Sequence, residues 1–172
     1  MNTEILGLKK ILMVEDDPRD VELTLAALAE HNLANKVAVV CDGAEALDYL
    51  YRRGKFKART NGLPVLVLLD LKLPKVSGLE VLKIIKADEQ LKIIPVVVLS
   101  SSRETPDVAE CYRLGVNAYV VKPVDFAEFM KAVKLVGVFW AAINEPPILA
   151  LREETGVQGG KATIAGKEQV TK

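Results

Sequence analysis

The sequence predicts an α/β protein, a doubly wound five-stranded parallel sheet between two layers of helices, and three observations predict it. Short runs of Val, Ile and Leu alternate five times with longer stretches of helical period. The runs are apolar almost throughout instead of alternating, as strands covered on both faces require. Several of them are interrupted by polar residues at the same end, where an open parallel sheet gathers its ligand-binding groups.

The strands are predicted over residues 11–14, 37–40, 65–69, 96–99 and 119–121. The first helix is predicted over 18–30, with Asp17 as N-cap and Pro18 at the first helical position. A second follows the Asp42-Gly43 turn over 44–53, and a third covers 78–87. The fourth, over 106–114, has Thr105 or Ser102 as its cap and Gly115 as its stop. The fifth starts at Asp125 and runs to about Asn144, because Pro146 and Pro147 forbid continuation. Residues 54–64 are polar and basic and longer than most α/β connections, so they form either a surface insertion or an extension of the second helix. This divides the chain into an N-terminal extension (1–8), one domain (9–144) and a polar, Gly-containing flexible tail (145–172) with no output domain.

A chain of 172 residues, 50% hydrophobic and 27% charged, is long enough for one globular core and argues against disorder. Lys+Arg and Asp+Glu both number 23, so no basic field exists to attract nucleic acid. The start lacks the apolar core of a signal peptide and no apolar run approaches bilayer length, which predicts a cytoplasmic protein without a membrane partner. Cys41 and Cys111 are far apart and form no C-x-x-C pair, so both are expected as buried reduced thiols.

The polar interruptions are Glu15-Asp16 after the first strand, Asp70 after the third, Ser100-Ser101 after the fourth and Lys122-Pro123 after the fifth. If these strand ends share one edge, three carboxylates and one ammonium face each other. Crowded carboxylates raise one another's pKa values unless a cation sits among them. Oxygen-only ligands suit a hard ion, and Mg²⁺ fits better than zinc. The Ser100 hydroxyl, a backbone N–H near Ser101 and the Lys122 ammonium match a phosphate. Asp70 then becomes a nucleophile toward a phosphoryl group, with catalysis resting on positioning and charge neutralisation.

Glu15-Asp16, Asp70 within Leu-Leu-Asp-Leu-Lys-Leu-Pro-Lys-Val-Ser-Gly, Ser100 after Pro-Val-Val-Val-Leu, and Gly-Val-Asn-Ala-Tyr-Val-Val-Lys-Pro together resemble the receiver domain of two-component response regulators, over residues 9–143. The resemblance implies a flavodoxin-like (CheY-like) three-layer fold with strand order 2-1-3-4-5. It implies a phosphoacceptor at Asp70, metal ligands at Glu15, Asp16, Asp70 and the Lys72 carbonyl, and Mg²⁺ as the ion with Mn²⁺ as an alternative. It implies phosphate binding by Ser100, Ser101 and Lys122, switching by Ser100 and Tyr119, and a cis bond before Pro123. The implied phosphodonor is a sensor histidine kinase. The insertion before the third strand and the ending Val-Phe-Trp-Ala-Ala-Ile-Asn-Glu-Pro-Pro resemble response regulators that partner phytochromes, so the kinase implied is a phytochrome. Two departures from the common receiver pattern stand out: Glu15 where many members carry Asp, and Ser100 in place of the more frequent Thr.

The fifth helix carries more apolar residues than one face against a sheet needs. Phe126, Phe129, Val133, Val136, Trp140 and Ile143 follow one stripe, and Leu135, Val138 and Phe139 widen it. The excess predicts a partner surface, most simply that of a homodimer. Two other functions compete with the phosphorylation switch. A phosphorylation-independent scaffold would have no use for crowded carboxylates. An aspartyl-phosphate phosphatase needs a second acid two residues after its nucleophile, where this chain has Lys72.

Overall fold

The computed structural model describes residues 10–145, so the N-terminal extension and nearly all of the predicted tail lie outside the described residues. In chain order the elements are β1 (Ile11–Val14), α1 (Pro18–Ala29), β2 (Val37–Val40), α2 (Gly43–Leu50), β3 (Leu66–Leu69), α3 (Gly78–Ala87), β4 (Val96–Ser100), α4 (Thr105–Arg113), β5 (Ala118–Val121) and α5 (Phe126–Val138). The strands pair in parallel in the order β2-β1-β3-β4-β5. This is the strand order expected above, with β1 and β3 side by side where the order reverses.

The period-two alternation of β1, β3 and β4 splits the interior into two half-cores. Leu12, Val14, Val67, Leu69, Val96 and Val98 pack under α2, α3 and α4, against Ala46, Tyr49, Leu50, Val81, Leu82, Ile85 and Cys111. Ile11, Leu66, Leu68, Val97 and Leu99 face α1 and α5, against Ala27, Leu28, Phe129 and Val133. Both faces of the central strands are therefore dry, which explains their unbroken apolar sequence.

Local chemistry places the helix starts. Asp17, Asp42 and Asp125 accept hydrogen bonds from Arg19, Glu45 and Glu128 backbone N–H groups at 2.9, 2.7 and 3.0 Å. Ser77 and Glu80 form a reciprocal capping box on α3. The N-cap of α4 is Glu104, with no side-chain cap bond, instead of Thr105 or Ser102. The Ser102 hydroxyl is instead committed to Asp107, in the first turn of α4.

Residues 54–64 are a surface insertion and do not extend α2. A single 3-10 turn covers Gly54–Phe56. The Arg59 guanidinium then folds back over the Tyr49 ring at 4.2 Å and donates to the Tyr49 and Gly62 carbonyls at 3.0 and 2.7 Å. The fifth helix also departs from its predicted extent. Its α-helical part ends at Val138, and residues Phe139–Ile143 form a π-helical stretch closed by the Asn144 N–H on the Phe139 carbonyl at 2.7 Å. The predicted apolar stripe is divided between core and solvent. Phe129 and Val133 are buried and Val136 and Trp140 pack beside them, whereas Phe126 and Ile143 are exposed. Of the three residues expected to widen the surface, Leu135 (63%) and Phe139 (47%) are exposed, but Val138 packs against the α1/α5 core. Close approach of α5 to α1 turns on Gly137, where a Cβ would stand 2.2 Å from Leu28 Cδ2.

Cys111 is fully buried as expected, but Cys41 is exposed, because it follows β2 at the edge of the sheet, where no neighbouring strand covers it. Burial, with the nearby Asp107 and Glu110 charges, pushes the Cys111 thiol up from 9.0 to about 11. A thiol reagent at about pH 8 is therefore expected to label Cys41 quickly and Cys111 only after denaturation. Counting labelled thiols by intact mass with and without urea checks this; rapid labelling of both in the native protein would contradict it.

Candidate functional site

β1, β3, β4 and β5 all end at one edge, and the residues just past them meet there. The Glu15 N–H donates to the Val40 carbonyl at 3.0 Å and the Asp70 N–H to the Val14 carbonyl at 3.1 Å, which extends the ladders by one residue on each side of the switch point. The Lys122 N–H likewise donates to the Ser100 carbonyl at 2.8 Å. The backbone thus fixes where Glu15, Asp70 and Lys122 leave the sheet. α3 closes in on the same place because Gly78 has no Cβ. One built there would stand 2.0 Å from the Asp70 carbonyl oxygen.

The Lys122 ammonium is the hub. It donates to Glu15 Oε2 at 2.6 Å, Asp20 Oδ2 at 2.7 Å and Asp70 Oδ2 at 3.0 Å. An ammonium has three N–H donors, so these carboxylates use all of them. Burial disfavours the charge on Lys122, but the hydrogen bonds to Asp20 and Glu15 and the charge of Asp70 outweigh it and hold its pKa above the usual lysine value. Glu15 is 3% exposed. Burial raises its pKa despite the hydrogen bond and charge of Lys122.

Ligand atoms of Glu15, Asp16 and Asp70 all lie within 4.8 Å of one another, with Asp16 exposed to solvent. The set is oxygen-only and its negative charge exceeds that of the single ammonium beside it. These residues fit a hard divalent cation, and Asp16 leaves one side open to water. Lys72 is exposed and its N–H donates to Asp70 Oδ1 at 3.2 Å, which orients the carboxylate.

Ser100 is fully buried at the end of β4, and its Oγ accepts from the Ser102 N–H at 3.2 Å. The Tyr119 hydroxyl donates to the Ser102 carbonyl at 3.1 Å, and the Ser102 hydroxyl donates to Asp107 Oδ2 at 2.6 Å. A continuous chain of bonds therefore leads from Ser100 to β5 and to the first turn of α4. Ser101 is exposed beside it. The Lys122–Pro123 bond, expected to be cis, is trans, since no described peptide bond is cis. Proline leaves the trans form favoured by about 0.5–1 kcal/mol, so no unusual geometry is involved.

The model of the response regulator receiver domain matches residues 11–134. The chain belongs to this family. This receiver domain is similar to the response regulator Rcp1 of Synechocystis sp., 38% identical over 132 residues, which are 77% of this chain and 88% of that protein. The crystal structure of Mn²⁺-bound Rcp1 superposes with a TM-score of 0.75, covering 81% of this chain and 99% of that one at 37% identity. The phosphorylated cyanobacterial phytochrome response regulator RcpA has a TM-score of 0.76 and 41% identity, over 82% of this chain and 99% of that one. The bacteriophytochrome response regulator RtBRR is 58% identical with a TM-score of 0.66, over 86% of this chain and 89% of that one.

Two members of the polar cluster in this receiver domain were not singled out in the sequence. Asp20 reads there as an ordinary acidic residue in the first turn of α1, favourable to the helix dipole. Its tie to Lys122 spans 102 positions and leaves no local signal. Asp107 is hidden in the same way, in the first turn of α4.

Proposed function

We propose that this receiver domain accepts a phosphoryl group on Asp70 from a sensor histidine kinase, in a Mg²⁺-dependent reaction, and so acts as a response regulator in the cytoplasm. The observation that carries the reading is the meeting of Glu15, Asp16 and Asp70 with the Lys122 ammonium at the switch point of the sheet. An Asp70 carboxylate oxygen attacks the phosphorus of a phosphohistidine. The P–N bond breaks with its electron pair left on the imidazole, and an acyl phosphate forms. Lys72 N–H orients the nucleophile, while Lys122 and the backbone near Ser101 receive the phosphoryl oxygens. A divalent ion held by Glu15, Asp16, Asp70 and the Lys72 carbonyl would supply the remaining positive charge; Rcp1, similar to this chain, takes Mn²⁺. The Ser100 hydroxyl and Tyr119 bias the surface of α4, β5 and α5 between two arrangements through the bonds at Ser102.

The test is incubation with acetyl phosphate and Mg²⁺ followed by intact mass. One added phosphoryl group, lost on alkaline hydroxylamine treatment, is expected; no gain, or a gain stable to hydroxylamine, would refute the assignment.

The kinase is proposed to be a phytochrome, because RcpA and RtBRR are phytochrome response regulators. The exposed face of α5 and of the π-helical stretch after it, with Phe126, Leu135, Phe139 and Ile143, is proposed as the homodimer surface. Replacing Phe139 by Glu is expected to weaken the dimer about tenfold or more, by placing a charge in its apolar centre. Sedimentation across a concentration series checks this, and an unaltered dimer would reject the surface.

A further inference from the structure

Lys122 is held by three carboxylates, and the reading above gives a role to only two of them. Glu15 is buried, and its Oε1 accepts from the Asp17 N–H at 3.1 Å, so a second hydrogen bond fixes its carboxylate beside Lys122. Asp70 is the phosphoacceptor itself. Asp20 differs from both: its side chain is 30% exposed, compared with 4% for Glu15 and 11% for Asp70. Water can therefore rehydrate Asp20 as its bond to Lys122 breaks, so this is the bond whose loss costs least. An ammonium whose three N–H groups are all in use cannot donate to an arriving phosphoryl oxygen until one is freed.

Building on the phosphoacceptor reading, we propose that Asp20 is a releasable positioning residue. It holds the Lys122 ammonium over the site in the resting protein and gives up its hydrogen bond to the phosphoryl oxygen when Asp70 is modified. Asp20 thus competes with the phosphoryl group for one N–H of Lys122. It lowers the affinity of the site for phosphate without touching phosphate.

The test compares wild type with Asp20→Asn, Asp20→Ser and Asp20→Glu, with Asp20→Ser keeping a residue suited to a helix start should the amide variant fold poorly. Beryllium fluoride with Mg²⁺, read by calorimetry, is expected to bind about threefold to tenfold more tightly to the Asn and Ser variants. Asp20→Glu is expected to restore wild-type affinity. The second readout is the ¹⁵N signal of the Lys122 ammonium in protein without added metal. Its protons are expected to exchange slowly in wild type and Asp20→Glu and several-fold faster in the other two, an effect that a merely structural role for Asp20 would not produce. Unchanged or weaker beryllium fluoride binding in both Asn and Ser variants, or unchanged ammonium exchange, would overturn the proposal. Failure of wild type to bind beryllium fluoride would instead overturn the phosphoacceptor reading, and the ammonium signal would still report on Asp20.

Discussion

Replacing Asp70 by Asn is expected to abolish phosphoryl transfer and at the same time to stabilise the metal-free protein by about 1 kcal/mol. The first effect follows because an amide oxygen has neither the charge nor the nucleophilicity of a carboxylate. The second follows from charge. Glu15, Asp20 and Asp70 share the single Lys122 ammonium, and Asp16 lies beside them, so the cluster carries more negative charge than its cation offsets. Asn keeps the shape and an oxygen for the Lys72 N–H, but removes one of the repelling charges. In chelator, a domain of this size should melt about 2–4 °C higher after the exchange. Added Mg²⁺ should narrow or reverse the gap, because wild type has the extra ligand and gains more from binding. A lower melting temperature for Asp70→Asn in chelator would show that the carboxylate is stabilising where it stands, and the crowding argument would fail.

The same gathering of charged groups at strand ends made the candidate site readable from sequence. β1 and α3 have their predicted limits because their residues answer to a single local rule each: unbroken burial for Ile11–Val14, and a Ser77/Glu80 capping box opening an amphipathic stretch for Gly78–Ala87. Polar residues at the ends of apolar strands break that local rule, and Glu15, Asp70, Ser100 and Lys122 were visible for that reason. Parallel pairing in the order β2-β1-β3-β4-β5 then turned four separate interruptions into one edge.

The features hidden in the sequence depend on tertiary contacts with no local trace. Asp20 looks like any acidic residue in a first turn until Lys122 is seen 2.7 Å away. The stripe of α5 could be counted, but the change from α to π geometry after Val138 rotates the last turn relative to the rest of the helix. Val138, still in the α-helical part, packs against the core, while Phe139 and Ile143 in the π-helical stretch face out. Arg59 reads as part of a solvated basic loop, yet its guanidinium covers Tyr49 and anchors the insertion. The cis bond before Pro123 was implied by resemblance to a family and not by any residue around it, and the bond is trans.

The largest loss of stability is expected from Lys122→Met, about 3 kcal/mol near neutral pH in chelator. Methionine fills a similar volume, so the cost is electrostatic: Glu15 stays buried with its cation gone, beside Asp70 and within reach of Asp16. The pH dependence separates this from a packing defect. Lys122 has its folded pKa raised above 10.5, so the stability it contributes is fully present below 10.5 and is lost as pH rises through the folded value. On the alkaline side wild type should therefore fall toward the variant only in strong alkali, while the acid side is set by protonation of the carboxylate partners of Lys122. Glu15 has its folded pKa raised above 4.5, so its contribution is fully present below 4.5 and is lost as pH rises through its folded value. Without Lys122 that folded value must rise further, and the loss between acid and neutral pH must grow. Urea melts at about pH 4.5 and about pH 7 should then show a small penalty in acid and a large one at neutrality. Added Mg²⁺ should recover much of the neutral penalty, because a cation among the same carboxylates replaces the charge that was removed. An equal penalty at both pH values, untouched by Mg²⁺, would place the effect in packing and take away the hub role of Lys122.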